Sequence, residues 1–246
     1  MINTLILAAV LAATPPAAPG TPFGMGVAAY ENGDFAAAAE AWETWTRQQG
    51  IDAATCFNLG NAYYKSGKLG RAVLAWERAR RIDPGDKETA ENLEFARRLL
   101  VDEVPVEESV LARLLARAAA AVSFAESMLV ALLLWEILGA AALVAILAGD
   151  SKRRAAVALA GVTLVVLLVI MPVVVWQWQS RVDRSQAVVL AKVIEVRSGP
   201  GDRYTSVFTV HEGLVVRVKQ TASGWHQVAL PNGLAGWVPA DAVERI

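Results

Sequence analysis

The chain has 246 residues, a formal net charge of −1 at pH 7, two histidines and one cysteine. Such a balance, with no basic patch outside one short run, argues against nucleic-acid binding, and the lone Cys56 permits no internal disulfide. A hydrophobic share of 55% and a positive mean hydropathy are too high for an ordinary soluble domain.

The first residues, "MINTLILAAVLAATPPAAPG", carry a short apolar core followed by small residues and prolines. That order reads as a secretory signal over 1–18, cleaved around Ala12–Ala18, although no basic residue precedes the core. No cysteine lies near it, so it is not a lipoprotein signal.

The next segment repeats. A shift of 34 places lays Gly26 on Gly60, Ala28 on Ala62, Tyr30 on Tyr64, Gly33 on Gly67, Ala38 on Ala72 and Trp42 on Trp76, without a gap. In the second unit Cys56, Leu59 and Tyr63 share one face of a predicted first helix, which Gly67 ends. Leu69, Ala72, Trp76 and Ala79 line the facing side of a second helix, which Pro84 stops. The small residues Gly60, Ala72 and Ala79 admit two backbones at close range, and large rings fill the remaining space. On these residues the segment resembles the tetratricopeptide family, strongly over 53–84 and well over 23–50. A further first helix, "DKETAENLEFARRLL", keeps register, because Asn92 and Leu93 fall on Asn58 and Leu59. It is read as a cap, completing an all-α repeat domain over 23–100.

Stacked helical pairs present a concave face to extended peptides or a partner helix. Asn58, Asn61, Lys65 and Asn92 are the candidate binding residues there, since asparagine offers donor and acceptor together to a peptide backbone. The alternative is plain polar surface. Phe57, Val27 and Glu88 occupy places where a carboxylate-gripping repeat would carry cations. Residues 20–108 hold fifteen acidic and ten basic side chains, which suits a partner with basic or apolar contacts.

Residues 101–126 read as an acidic, proline-containing linker and an amphipathic stretch, "SVLARLLARAAAAV". The paired acids Asp102–Glu103 and Glu107–Glu108 are read as keeping the linker solvated. The stretch either lies along the outer leaflet or extends the helix that follows.

Two apolar runs, 127–148 and 155–176, are each long enough to cross a hydrocarbon core of about 30 Å. The six residues between them, 149–154, are expected to form a turn. Lys152, Arg153 and Arg154 in that turn orient it toward the cytoplasm, and Trp176 and Trp178 fit an outer interfacial belt. Both flanking domains then lie outside the cytoplasm, and inverted topology is the alternative. Glu136 falls near the middle of the first span, where a charge costs roughly 2.5–3.5 kcal/mol on insertion scales. It is the candidate contact to a partner's span; the alternative is a tolerated acid in a very apolar helix. Gly139 and Gly161, with neighbouring alanines, are expected to allow close helix packing, and Pro172 to kink the second span.

From 186 to 246 the pattern changes to short alternating runs punctuated by Gly, Pro and Asn, with Pro231-Asn232-Gly233 as a hairpin signal. About five strands forming a small all-β barrel are expected. The order of "VRSGPG", a tyrosine, "EGLVVRV", "GWHQV" and "NGLAGWVPADAV" resembles the bacterial SH3-like family. Trp237 is read as barrel core. Tyr204 and Trp225 are the candidate ligand-binding residues.

Signal, repeats, acidic connector, two-span hairpin and terminal SH3-like domain, in that order, resemble the BatE family of the aerotolerance operons. This multidomain layout implies an inner-membrane protein whose partners are membrane proteins with von Willebrand factor A domains and a MoxR-type ATPase. An enzyme is not expected. Cys56 occupies a packing position, His211 and His226 lie alone on predicted strands, and no metal-ligand spacing, cofactor motif or phosphate loop occurs. A non-enzymatic scaffold is therefore the first expectation. A peptidoglycan-binding envelope protein is the second, and a hydrolase the third, whose activity after removal of both histidines and Cys56 would have to use carboxylates.

Overall fold

Five helices open the described chain: α1 (Pro22–Glu31), α2 (Phe35–Gln49), α3 (Ala53–Lys65), α4 (Leu69–Ile82) and α5 (Lys87–Arg97). Each of α2, α3 and α5 starts on an aspartate, Asp34, Asp52 or Asp86, whose carboxylate accepts an otherwise orphaned backbone N–H of the first turn. The tight turns within the pairs need left-handed backbone, supplied by Gly33 (φ +80°) and Gly67 (φ +76°). The computed structural model describes residues 20–102 and 122–246. The secretory signal over 1–18 and most of the linker and amphipathic stretch lie outside the described residues.

The repeat period reappears as packing. Trp42 and Trp76 are buried, and each indole lies against a glycine 16 places earlier: a Cβ on Gly26 would sit 2.5 Å from Trp42 Nε1, and one on Gly60 2.3 Å from Trp76 Nε1. Ala38, Ala62, Ala72 and Ala79 complete this small/large core.

The C-terminal domain is a seven-stranded antiparallel sheet, not five strands: β1 (Gln186–Val189), β2 (Val193–Arg197), β3 (Ser206–His211), β4 (Val215–Ala222), β5 (Trp225–Ala229), β6 (Ala235–Pro239) and β7 (Val243–Arg245). Its order is β3-β2-β6-β5-β4-β1-β7. Val210 of β3 and Val243 of β7 belong to opposite edges yet share one core with Val189, Val196, Val216 and Val228. A sheet whose two edges line the same core must curl around it. Ser223 (φ 51°) and Gly224 (φ 79°) turn β4 into β5.

Within this body the sheet packs on the helices. Val188 joins the helical core, with Leu190, Val215 and Ile246 at its margin. Helix α4 is therefore buried on more sides than its repeat role requires: Gly70 and Leu74 are buried, whereas their counterparts one period earlier, Ala36 and Glu40, are exposed. A Cβ on Gly70 would meet the Val189 carbonyl oxygen at 2.8 Å. Gly70 N donates to Glu212 at 3.1 Å, and Arg78 donates to Glu244 at 2.8 Å. Asp102, read from the sequence as a solvating linker acid, instead accepts the His211 backbone N–H at 2.6 Å and lies 2.9 Å from His211 Nδ1. The segments before and after the apolar hairpin thus form one compact unit, and Glu108–Asp183 a second.

In the second unit α6 (Phe124–Leu147) and α7 (Asp150–Val182) are long and apolar enough to cross a membrane. Ser123 and Glu126 form a capping box at the start of α6. The inward residues of α6 recur every three or four places, at Ser127, Ala131, Leu134, Leu138, Ala141 and Ala145. Those of α7 do likewise, at Ala156, Ala160, Thr163, Leu167, Ile170 and Val174. This is the heptad spacing of two helices meeting along a seam. Alanines, not Gly139 and Gly161, provide the close approach; both glycines face outward, and a Cβ added to either would meet no atom within 4 Å. The expected six-residue turn is mostly helix, since only Ala148 and Gly149 separate α6 from α7. Its basic run belongs to the first turns of α7, where Gly149 serves as N-cap and Asp150 suits the helix N-terminus. Pro172 lies inside α7, which continues on both sides of it.

Candidate interaction surfaces

On the repeat domain the structure brings Asn61 and Asn92 together. Asn61 Oδ1 accepts from Trp76 Nε1 at 3.1 Å and from Asn92 Nδ2 at 3.0 Å. Asn58 and Asn61 are each 2% exposed, whereas Asn92 and Lys65 are half-buried. Asn61 therefore serves as an internal acceptor for its own fold, while its Nδ2 is buried without a partner among the described residues. Trp42, the equivalent of Trp76, donates to the Phe23 carbonyl oxygen at 3.2 Å. The two repeats satisfy the same indole N–H by different means.

A second surface was not anticipated from the sequence. A cavity of about 360 Å³ opens between α2, α3 and α4, with Glu244 of β7 in its wall. Its floor includes Cys56, Leu59 and Leu74, and Glu43, Arg47, Arg71 and Arg78 stand around it. The Tyr63 hydroxyl donates to Glu43, Arg71 lies 3.5 Å from the same carboxylate, and its guanidinium stands 5.7 Å from the Tyr63 ring centre. Burial, reinforced by the Glu43 hydrogen bond, pushes the Tyr63 phenol up to about 12. Burial also pushes the Cys56 thiol up to about 12, against a smaller opposing effect of Arg78. A thiol so placed is protonated and a poor nucleophile. One sequence signal was available: Arg71 and Arg78 lie one heptad apart, on one side of α4.

On the sheet, Trp237 is buried, as expected of a core residue, but lies outside the valine cluster. Its neighbours Gly236 and Val238 face inward, with a Gly236 Cβ meeting Val196 at 2.5 Å, so Trp237 points to the opposite face. It is 9% exposed there, in register with Arg197 on one side and Gln227 on the other. Trp225 shares that face with Gln227 and stands opposite Pro239. Tyr204 sits on the β2–β3 loop, its ring against Gly199 and its carbonyl accepting from Arg197 at 3.0 Å. Arg203 stands 5.3 Å from the Tyr204 ring centre. Arg197 thus links the Tyr204 loop to the row that holds Trp237. Alternation in "GLAGWVPADAV" could not place Trp237, because the residue next to it, Val238, is equally apolar. His226 Nδ1 lies 2.7 Å from Thr221 Oγ1, and its pKa is lowered by burial first and by Arg245 second.

On the hairpin, Glu136 is exposed on the side of α6 away from α7. No hydrogen-bond or ion-pair partner reaches it among the described residues. Lys152, Arg153 and Arg154 are exposed at the start of α7.

Comparison with known families adds two matches. A family model described as tetratricopeptide repeat matches residues 53–86, and one described as bacterial SH3 domain matches 191–244. Among curated proteins no sequence matches the chain. Both matched families are typically non-catalytic interaction modules, and no enzymatic family is indicated.

Proposed function

We propose that this protein is a membrane-anchored, non-enzymatic scaffold. Its repeat and SH3-like modules act as one recognition body for protein partners. One observation carries this reading: segments on either side of the hairpin dock through Gly70, Arg78 and Asp102 on the helical side and Glu212, Glu244 and His211 on the sheet side. Domains that touch must occupy the same compartment, which fits an even number of spans. The basic run Lys152–Arg154 at the hairpin tip then favours a cytoplasmic tip and an extracytoplasmic body at the inner membrane. Tethering two modules in one body beside the membrane raises their effective concentration toward any partner anchored there.

The likeness to the BatE layout supports membrane proteins with von Willebrand factor A domains and a MoxR-type ATPase as the partners. Affinity purification of the full-length protein from its native membrane in mild detergent tests this. Stoichiometric recovery of such proteins is the expected result. Protease access to a tag at Ile246 in spheroplasts tests the orientation, and protection of the tag would invert it.

A second reading, peptidoglycan binding, is favoured by the half-buried Tyr204, Trp225 and Arg197. Flat aromatic and guanidinium surfaces suit stacking on sugars or gripping an acidic stem peptide. Co-sedimentation with purified wall, without protein partners, would favour it.

A further inference from the structure

We propose that Glu136 anchors a heterologous transmembrane helix that carries a lysine or arginine at mid-span. The proposal rests on the reading of α6 and α7 as membrane spans and deepens the scaffold assignment by stating the partner's chemistry.

Glu136 sits at the middle of the 24-residue helix α6 and is exposed. The seam toward α7 runs through Leu134, Leu138 and Ala141, which places Glu136 on the far side of the helix. A carboxyl facing hydrocarbon without a partner is among the least favourable arrangements in a membrane helix, so residues of this type face other helices. Around Glu136 the helix is shaped for such an approach. Gly139, one turn further, has open space where a Cβ would stand. Leu132 and Leu143 flank the pair on the same side, and both are exposed. Small residues beside a polar one let two backbones come close enough for a side-chain hydrogen bond.

This chain cannot complete the contact from its own spans. Lys152, Arg153 and Arg154 stand in the first turns of α7, at the tip of the hairpin, whereas Glu136 is at the midpoint of α6. Ser127, Thr163 and Gln177 are buried in the hairpin seam, and Gln179 is exposed near the end of α7, away from mid-span. Across a symmetric contact a second copy would meet Glu136 with its own Glu136, a like-charge encounter. A basic side chain on a different protein gives the complementary one. The ionic pair then forms in a medium where alternative partners and screening are absent.

The test uses the full-length chain in its native membrane. A photo-crosslinking amino acid replaces Leu132 or, separately, Leu143, with Glu136 intact, as Glu136→Gln and as Glu136→Ala. A probe at Val169, on the exposed side of α7, is the control. The expected result is an adduct from the α6 positions, absent from the control, whose partner segment is a membrane span containing lysine or arginine. Its yield falls at least tenfold in Glu136→Ala and Glu136→Gln at equal membrane abundance. Exchanging the charges, Glu136→Lys with an acid at the partner's basic position, restores it. An adduct between two copies of this chain overturns the proposal in favour of self-association. So does an adduct indifferent to Glu136→Ala, a partner span without a basic residue, or no adduct above the control. None of these outcomes touches the recognition role of the extracytoplasmic body, which is read separately by whether partners co-purify with the Glu136→Ala protein.

Discussion

Arg78 and Glu244 are 166 residues apart in sequence and 2.8 Å apart in space. The same guanidinium donates to the Arg245 carbonyl oxygen at 2.7 Å, so one side chain of α4 holds two successive residues of β7. The pair is partly exposed and its strength is modest. Arg78→Ala is expected to lower stability by about 1 kcal/mol or less. Gly70 is the more sensitive position, because any larger side chain meets the backbone of β1 at Val189 and Leu190. Gly70→Leu is expected to part the sheet from the helices. Calorimetry of the full-length protein in detergent would then split one soluble-domain transition into two. A single unshifted transition would contradict the docking.

Gly60 and Trp76 set the spacing of the second repeat. Gly60→Ala forces a methyl group into the indole and is expected to cost about 1–3 kcal/mol through overpacking. Gly26→Ala against Trp42 should behave alike. Chemical denaturation followed by tryptophan fluorescence reads both.

Asn61 is expected to matter for folding before it matters for binding. Asn61→Ala leaves the Trp76 N–H and the Asn92 amide without their shared acceptor, at a cost of about 1–3 kcal/mol. Substitution at Lys65, which is half-buried and outside this network, is the one that separates peptide binding from stability. Loss of partner binding in Lys65→Ala with an unchanged melting curve would support the concave face as the recognition surface.

Cys56 gives a pH test. Its thiol is raised from 9.0 to about 12 in the folded chain, chiefly by burial. Above pH 9 the unfolded chain loses this proton first, so the unfolded state binds fewer protons and stability falls as pH rises. The stability that wild type holds over Cys56→Ala should be fully present below pH 9 and shrink toward pH 12. At pH 8 the native thiol should resist maleimide and react on denaturation. Rapid labelling of the folded protein would show that reagent reaches Cys56 through the cavity or by opening of the helices.

The hairpin seam makes alanine the sensitive residue and glycine the tolerant one. Ala141→Leu should lower thermal stability in detergent, because Ala141 is buried against α7. Gly161→Ala should leave it unchanged, since nothing lies within 4 Å of the added methyl.

By itself the sequence determined the local architecture. A gapless 34-residue shift placed Trp42 on Trp76 and Gly26 on Gly60, and the structure turns each correspondence into the same glycine-against-indole contact. Runs of apolar residues marked two helices long enough to span a membrane, and punctuated alternation marked the sheet. These features are periodic, and periodicity along a chain survives as a face in space. Tertiary structure alone decided which faces are used twice. Gly70 is buried where its repeat counterpart Ala36 is exposed, because a sheet from the far end of the chain brings the Val189 carbonyl oxygen against it. Asp102 leaves the solvated-linker role for His211 for the same reason. Trp237 and Val238 are both apolar and both buried, so only the registration of β6 with β2 and β5 shows which of them joins the valine cluster. A contact between residues 166 positions apart has no period, and only the folded chain displays it.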